Sequence, residues 1–167
     1  PGDEVIWEMG ENGSRLLNQS GFHQYEVSAY SKSPSVHNLN YWEFGDYIGV
    51  GAGAHGKITK INSSEIVRTL KVKSPKDYLV SVNKNKQNSR INLVENLAFE
   101  FMLNSLRLID GFDLKLFESR TGQSIELLKS QMKRAKKLGL LDTENHRIKP
   151  TSRGFSFLND LQEIFLS

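Results

Sequence analysis

Within six residues, His37-Asn38-Leu39-Asn40-Tyr41-Trp42 brings together an imidazole, two carboxamides and two large aromatic rings. An imidazole nitrogen is a good axial ligand for haem iron. Flat rings beside it can lie against a porphyrin face and bury much of its apolar area. The same residue types also serve structure alone: Tyr41 and Trp42 can plug a barrel edge while His37 and Asn38 satisfy turn backbone. On the residues alone, both readings stand.

A second cluster is Gly51-Ala52-Gly53-Ala54-His55. Glycines directly after a strand let the backbone approach a ligand, and their N–H groups can face an anion or carboxylate. A dinucleotide fingerprint would need a third glycine, a following helix and a later acidic partner, which are missing here. A tight turn with no ligand explains Gly51, Gly53 and His55 equally well. Lys129, Lys133, Arg134, Lys136 and Lys137 form a basic run. They can contact phosphate in a salt-dependent way, or they can be a solvated face whose charge suits a helix C-terminus. The remaining histidines, His23 and His146, stand alone. No P-loop, nucleophile elbow or carboxylate pair is present.

These groups need elements to position them. Residues 2–19 carry a helical pattern of Val5, Ile6, Met9, Leu16 and Leu17, with Gly21 where a helix would stop. A strand is expected over 25–30, a loop over 31–45 and a strand over 46–50 that runs into the glycine turn. Both candidate clusters then follow strands, as ligand sites do at the carboxyl ends of barrel strands. A hairpin is expected from 57–61 and 65–72. Ser74-Pro75 caps a helix through about Val82.

The polar stretch 83–90 reads as a linker. Beyond it, helices are expected over 92–108, 113–119 and 125–138, followed by a small hairpin around 140–149 and a closing helix capped by Thr151. The expected fold is thus α/β in its first part and α+β overall. It comprises residues 1–82, the linker 83–90 and a winged-helix-like unit over 91–167.

The chain has 167 residues, 38% of them hydrophobic and 25% charged, which is ordinary for a globular protein. The net charge of +3 is too small to indicate nucleic acid by itself. With no cysteine, disulfides, thiolate zinc sites, cysteine nucleophiles and cysteine-bound iron–sulfur clusters are excluded from the chain. No apolar run is long enough to cross a bilayer, so the expected location is cytoplasmic.

In order and spacing, Tyr25-Glu26-Val27-Ser28, the 37–42 element, Gly45-Asp46-Tyr47-Ile48-Gly49 and the 51–55 turn resemble one family. It is the oxygen-independent coproporphyrinogen III oxidase-like radical-SAM family, in the later part of its partial TIM barrel. Glu95-Asn96, Glu100-Phe101-Met102, Leu106-Arg107-Leu108, Gly111 and Thr151-Ser152-Arg153-Gly154 resemble its carboxy-terminal domain. The HNxxYW element is characteristic of the family's haem-chaperone branch. The resemblance implies haem binding, with His37 the candidate iron ligand and Asn38, Tyr41 and Trp42 as pocket wall. Gly51, Gly53 and His55 would belong to a cofactor or substrate loop. Ala29 stands where the family often has Asn, and Ala52 where Pro is frequent.

The resemblance also implies a [4Fe–4S] cluster and S-adenosylmethionine in a full-length parent, bound through a cysteine motif that this chain lacks. The chain alone is then expected to be catalytically inactive, with haem-acceptor proteins as partners. Open strand edges would invite self-association. An enzymatic alternative makes the parent a true coproporphyrinogen III dehydrogenase, with this region as part of its substrate wall. A more distant one makes 91–167 a DNA-binding winged helix.

Overall fold

The computed structural model describes residues 1–60, 65–84 and 89–166. It opens with α1 (Asp3–Gln19). Gly21 ends this helix in the left-handed region at φ 78°. The Phe22 N–H reaches the Leu17 carbonyl and the Gly21 N–H reaches that of Asn18, a paired closure that satisfies two orphan carbonyls. The apolar side chains of α1, including Ile6, Trp7 and Met9, are exposed in this chain.

The strand expected over 25–30 is instead a hairpin, β1 (His23–Glu26) with β2 (Ala29–Ser31), turning at Val27-Ser28. A distant segment causes the reversal. The Val27 N–H donates to the Arg107 carbonyl, and Glu26 bridges to Leu108. The expected loop 31–45 contains a helix, α2 (Val36–Trp42). The strand expected over 46–50 does not form. Only Tyr47 pairs there, in an isolated bridge to Lys57, and Ile48 and Val50 face solvent.

The expected hairpin does form, as β3 (His55–Lys60) and β4 (Glu65–Lys71), in register from His55↔Leu70 to Lys60↔Glu65. Its turn, including Asn62-Ser63-Ser64, lies outside the described residues. Helix α3 (Pro75–Asn83) starts where expected, with the Ser74 hydroxyl accepting from the Asp77 N–H. The stretch read as a linker is shorter than 83–90. Residues 83 and 84 end α3, 85–88 lie outside the described residues, and 89–90 enter β5 (Ser89–Leu93), which pairs antiparallel with β4. The next helix, α4 (Leu97–Ser105), is correspondingly shorter than 92–108 and is capped by Asn96.

A short strand β6 (Phe112–Asp113) leads into α5 (Leu114–Thr121), which Gly122 ends at φ 68°. A 3-10 turn over Ile125–Leu128 precedes α6 (Lys129–Lys137). The hairpin β7 (Leu141–Glu144) and β8 (Arg147–Pro150) completes a three-stranded sheet in the order β6-β8-β7. The closing helix is broken at Phe157 into α7 (Ser152–Ser156) and α8 (Leu158–Glu163).

The architecture is mixed α/β, and all strand pairs among the described residues are antiparallel. Its core centres on Phe101, whose ring meets those of Phe44, Phe112 and Phe117 edge-on at 5.8, 4.9 and 5.1 Å. Full burial of such a side chain contributes roughly 1.5–3 kcal/mol. Phe44 and Ile66 share this core with Phe101 and Leu161, so it spans residues on both sides of the 83–90 stretch.

Candidate haem-contact site

Helix α2 begins at Ser35, whose hydroxyl accepts from the Asn38 N–H at 3.4 Å. At about 3.6 residues per turn, His37 and Tyr41 share one side of the helix and Asn38 and Trp42 the adjacent side. The His37 and Tyr41 rings meet edge-on at 4.8 Å, with His37 exposed. Tyr41 continues onto Tyr47 at 4.3 Å. Tyr47 is in turn fixed by Arg68, which donates to its hydroxyl at 3.1 Å and is itself held by Glu100. The result is an imidazole and two phenol rings in series, braced from β4 and α4.

Asn38 and Trp42 are engaged elsewhere. The Asn38 amide donates to the Tyr25 hydroxyl at 2.9 Å. The Trp42 ring lies 4.3 Å from the Arg107 guanidinium, and its carbonyl accepts from the Ser105 hydroxyl. The four residues expected to share one site are therefore divided between two adjacent sides of the helix, exposed His37 with half-buried Tyr41 on one and half-buried Asn38 and Trp42 on the other.

The end of α2 is strained. Phe44 takes φ 57°, a conformation that a bulky side chain rarely adopts. It closes the helix, with the Phe44 N–H on the Tyr41 carbonyl and the Gly45 N–H on that of Asn40. Strain of this kind costs roughly 1–3 kcal/mol and persists only when the surroundings enforce it. Here the Phe44 ring is buried in the core, and the buried Lys57 ammonium lies 4.2 Å above it while donating to its carbonyl. Lys57 also donates to Asp46, whose carboxylate accepts from the Thr59 N–H and hydroxyl. Burial pushes the Lys57 ammonium below its usual value, against the opposing pull of Asp46. The Asp46 carboxyl is lowered: burial raises it, and its bonds to Thr59 and Lys57 outweigh that.

The glycine turn is committed to the fold. Gly51 and Gly53 take φ 103° and 70°. The Gly53 N–H donates to the Val72 carbonyl, and the Ala54 carbonyl accepts from the Lys71 N–H. The Gly53 N–H, expected to be available to an anion, is thus used in pairing. His55 is the exposed first residue of β3, opposite Leu70, and this strand joins α2 through the Tyr47–Lys57 bridge and the Tyr41–Tyr47 contact.

Tyr25, Tyr47 and Arg107 entered the sequence analysis only as parts of the family resemblance, with no role at the site, and Lys57 did not enter it. The approach of Gly49 to β3 was also missed: a Cβ there would lie 2.1 Å from the His55 carbonyl oxygen. The capping pattern of Ser35 three residues before Asn38 was a signal for α2.

Among the described residues, no three His, Cys, Asp or Glu side chains converge on a metal-sized site. The donor set does not fit a cysteine-ligated cluster, as the chain has no cysteine. No helix among the described residues is long and apolar enough to cross a membrane. On α6, Lys133, Arg134, Lys136 and Lys137 are exposed, and Lys129 pairs with Glu126 at 2.7 Å.

Residues 94–157 match the family described as the HemN C-terminal domain. The chain is 39% identical to the heme chaperone HemW of Haemophilus influenzae, across 100% of this chain and 43% of that protein. It is 37% identical to the heme chaperone HemW of Escherichia coli, across 100% of this chain and 44% of that protein. It thus spans less than half the length of these relatives. The solved structure of Escherichia coli coproporphyrinogen III oxidase (HemN), a radical SAM enzyme, superposes with a TM-score of 0.69. That likeness covers 99% of this chain and 42% of the other at 16% identity, a likeness of fold. Over its whole length the chain is thus related to proteins named heme chaperone HemW, and its residues 94–157 fall in the HemN C-terminal domain family.

Proposed function

We propose that this chain is the haem-contacting part of a cytoplasmic haem chaperone, with His37 as the iron ligand and Tyr41 against the porphyrin. The observation that carries this reading is the exposed His37 ring set edge-on against half-buried Tyr41, on a helix whose other side is occupied by Tyr25 and Arg107. Tyr47 extends the aromatic surface. Bound haem would supply an iron centre able to take a protein nitrogen. His37 would donate a nitrogen to it, and the two tyrosines would shield one edge from water.

Asn38 and Trp42 support the helix from behind, and the 51–55 turn with His55 flanks the site through β3. The cluster and S-adenosylmethionine implied by the family belong, on this reading, to the length of the relatives that this chain does not span. Transfer to acceptor proteins is part of the same proposal. So is self-association through open edges such as β5, whose Ile91 and Leu93 are exposed.

Titration of the chain with haemin tests the ligand assignment. A saturable Soret change is expected, with affinity reduced in His37→Ala by more than the about 10–100-fold that loss of an outer-shell partner costs. Equal binding by both proteins would remove His37 from the role.

A further inference from the structure

We propose that Arg107, which lies within the HemN C-terminal domain, is a positioning residue for the His37 face. This rests on the haem-contact reading above and gives the domain a part in that site. The main chain of Arg107 is fixed first. Its carbonyl accepts from the Val27 N–H at 3.1 Å, the Ile109 N–H donates to the Tyr25 carbonyl at 3.2 Å, and Leu108 bridges to Glu26. The stretch after α4 is therefore stitched to the edge of β1, and the Arg107 side chain starts from a set point.

The guanidinium then makes three contacts in different directions. Its Cζ lies over the Trp42 ring, 4.3 Å from the centroid, its Nη2 donates to the Ser28 hydroxyl at 3.1 Å, and the same nitrogen stands 3.6 Å from Glu26 Oε2. Glu26 is buried, and a buried carboxylate needs a compensating cation. Only a planar guanidinium can lie on an indole while donating in its own plane. Ser105, fully buried at the end of α4, adds a bond to the Trp42 carbonyl. Trp42 is thus gripped at ring and backbone by residues 105 and 107, while Asn38, one turn earlier, is tied to Tyr25. These contacts block rotation of α2 about its axis, and that rotation decides whether His37 faces outward.

The test is a haemin titration of the wild-type chain beside Arg107→Met, Arg107→Lys, Ser105→Ala and His37→Ala, with urea unfolding of each. Arg107→Met is expected to bind haemin about 10–100-fold more weakly, the range seen when a ligand's support is removed, with a displaced Soret maximum. Arg107→Lys should fall between it and wild type, since it keeps the charge and loses the planar contact. Because the chain has two tryptophans, Trp7→Phe leaves Trp42 as the sole emitter. Its fluorescence should shift on Arg107→Met without any haem present.

Should Arg107→Met fail to fold, Arg107→Lys and Ser105→Ala decide the matter by the same readings. Binding that depends on His37 but keeps wild-type affinity and spectrum in the Arg107 and Ser105 variants overturns the positioning role alone. Wild-type binding that does not depend on His37, or no binding, overturns the haem-contact reading and this role with it.

Discussion

The Asn38 amide donates to the Tyr25 hydroxyl across 2.9 Å, tying the middle of α2 to β1. This bond selects the side of the helix that faces the protein, and so leaves His37 and Tyr41 on the other. Tyr25→Phe removes the acceptor and is expected to lower stability by about 1 kcal/mol. A double-mutant cycle with Asn38→Ala in urea should show a coupling of about 0.5 kcal/mol or more. Strict additivity would mean that the bond contributes nothing.

Acid should loosen the end of α2. The lowered Asp46 carboxyl binds a proton less readily folded than unfolded. Its contribution is therefore present above the unfolded carboxyl value and is lost as pH falls through the folded one. The Lys57 ammonium is also shifted down, and its slope has the same sign at the alkaline end: stability from that group rises as pH climbs from its folded value towards its unfolded one. Urea midpoints for wild type should drop on going from about pH 7 to about pH 3. Asp46→Asn should be less stable at neutral pH, with a shallower acid limb. An unchanged acid limb in Asp46→Asn would place the sensitivity elsewhere.

Gly49→Ala should disturb Tyr47. A Cβ at residue 49 meets the His55 carbonyl oxygen at 2.1 Å, so the 47–49 segment must move away from β3. Crowding of this kind costs about 1–3 kcal/mol. Displacement of Tyr47 would also weaken the aromatic series that ends at His37. A thermal midpoint equal to wild type would show that the segment yields without cost.

Several of these relationships were legible in the sequence, and others were not, for identifiable reasons. The Ser74-Pro75 start and the β3–β4 hairpin follow local chemistry, namely a cap and alternation. Splitting of the 25–30 stretch does not, because the partner that turns it, residues 107–108, is far along the chain. Alternation over six residues looks the same in one strand as in two short ones. The 46–50 run is apolar, yet Ile48 and Val50 are exposed in this chain, so hydrophobicity there implied a burial that these residues do not supply. Division of the 37–42 side chains into two sides needed the helix itself, since a loop assignment hides the 3.6-residue period. Lys57 offered no signal either, for lysine is rarely buried and its partner Asp46 comes from outside its strand.

The most direct measurement is resonance Raman spectroscopy of the ferrous haem-loaded chain, with His37→Ala and Arg107→Met alongside. An iron–histidine stretching band is expected in wild type, absent in His37→Ala and shifted or weakened in Arg107→Met. An iron–histidine band of equal position and strength in His37→Ala would contradict His37 as the ligand and, with it, the haem-contact role of α2.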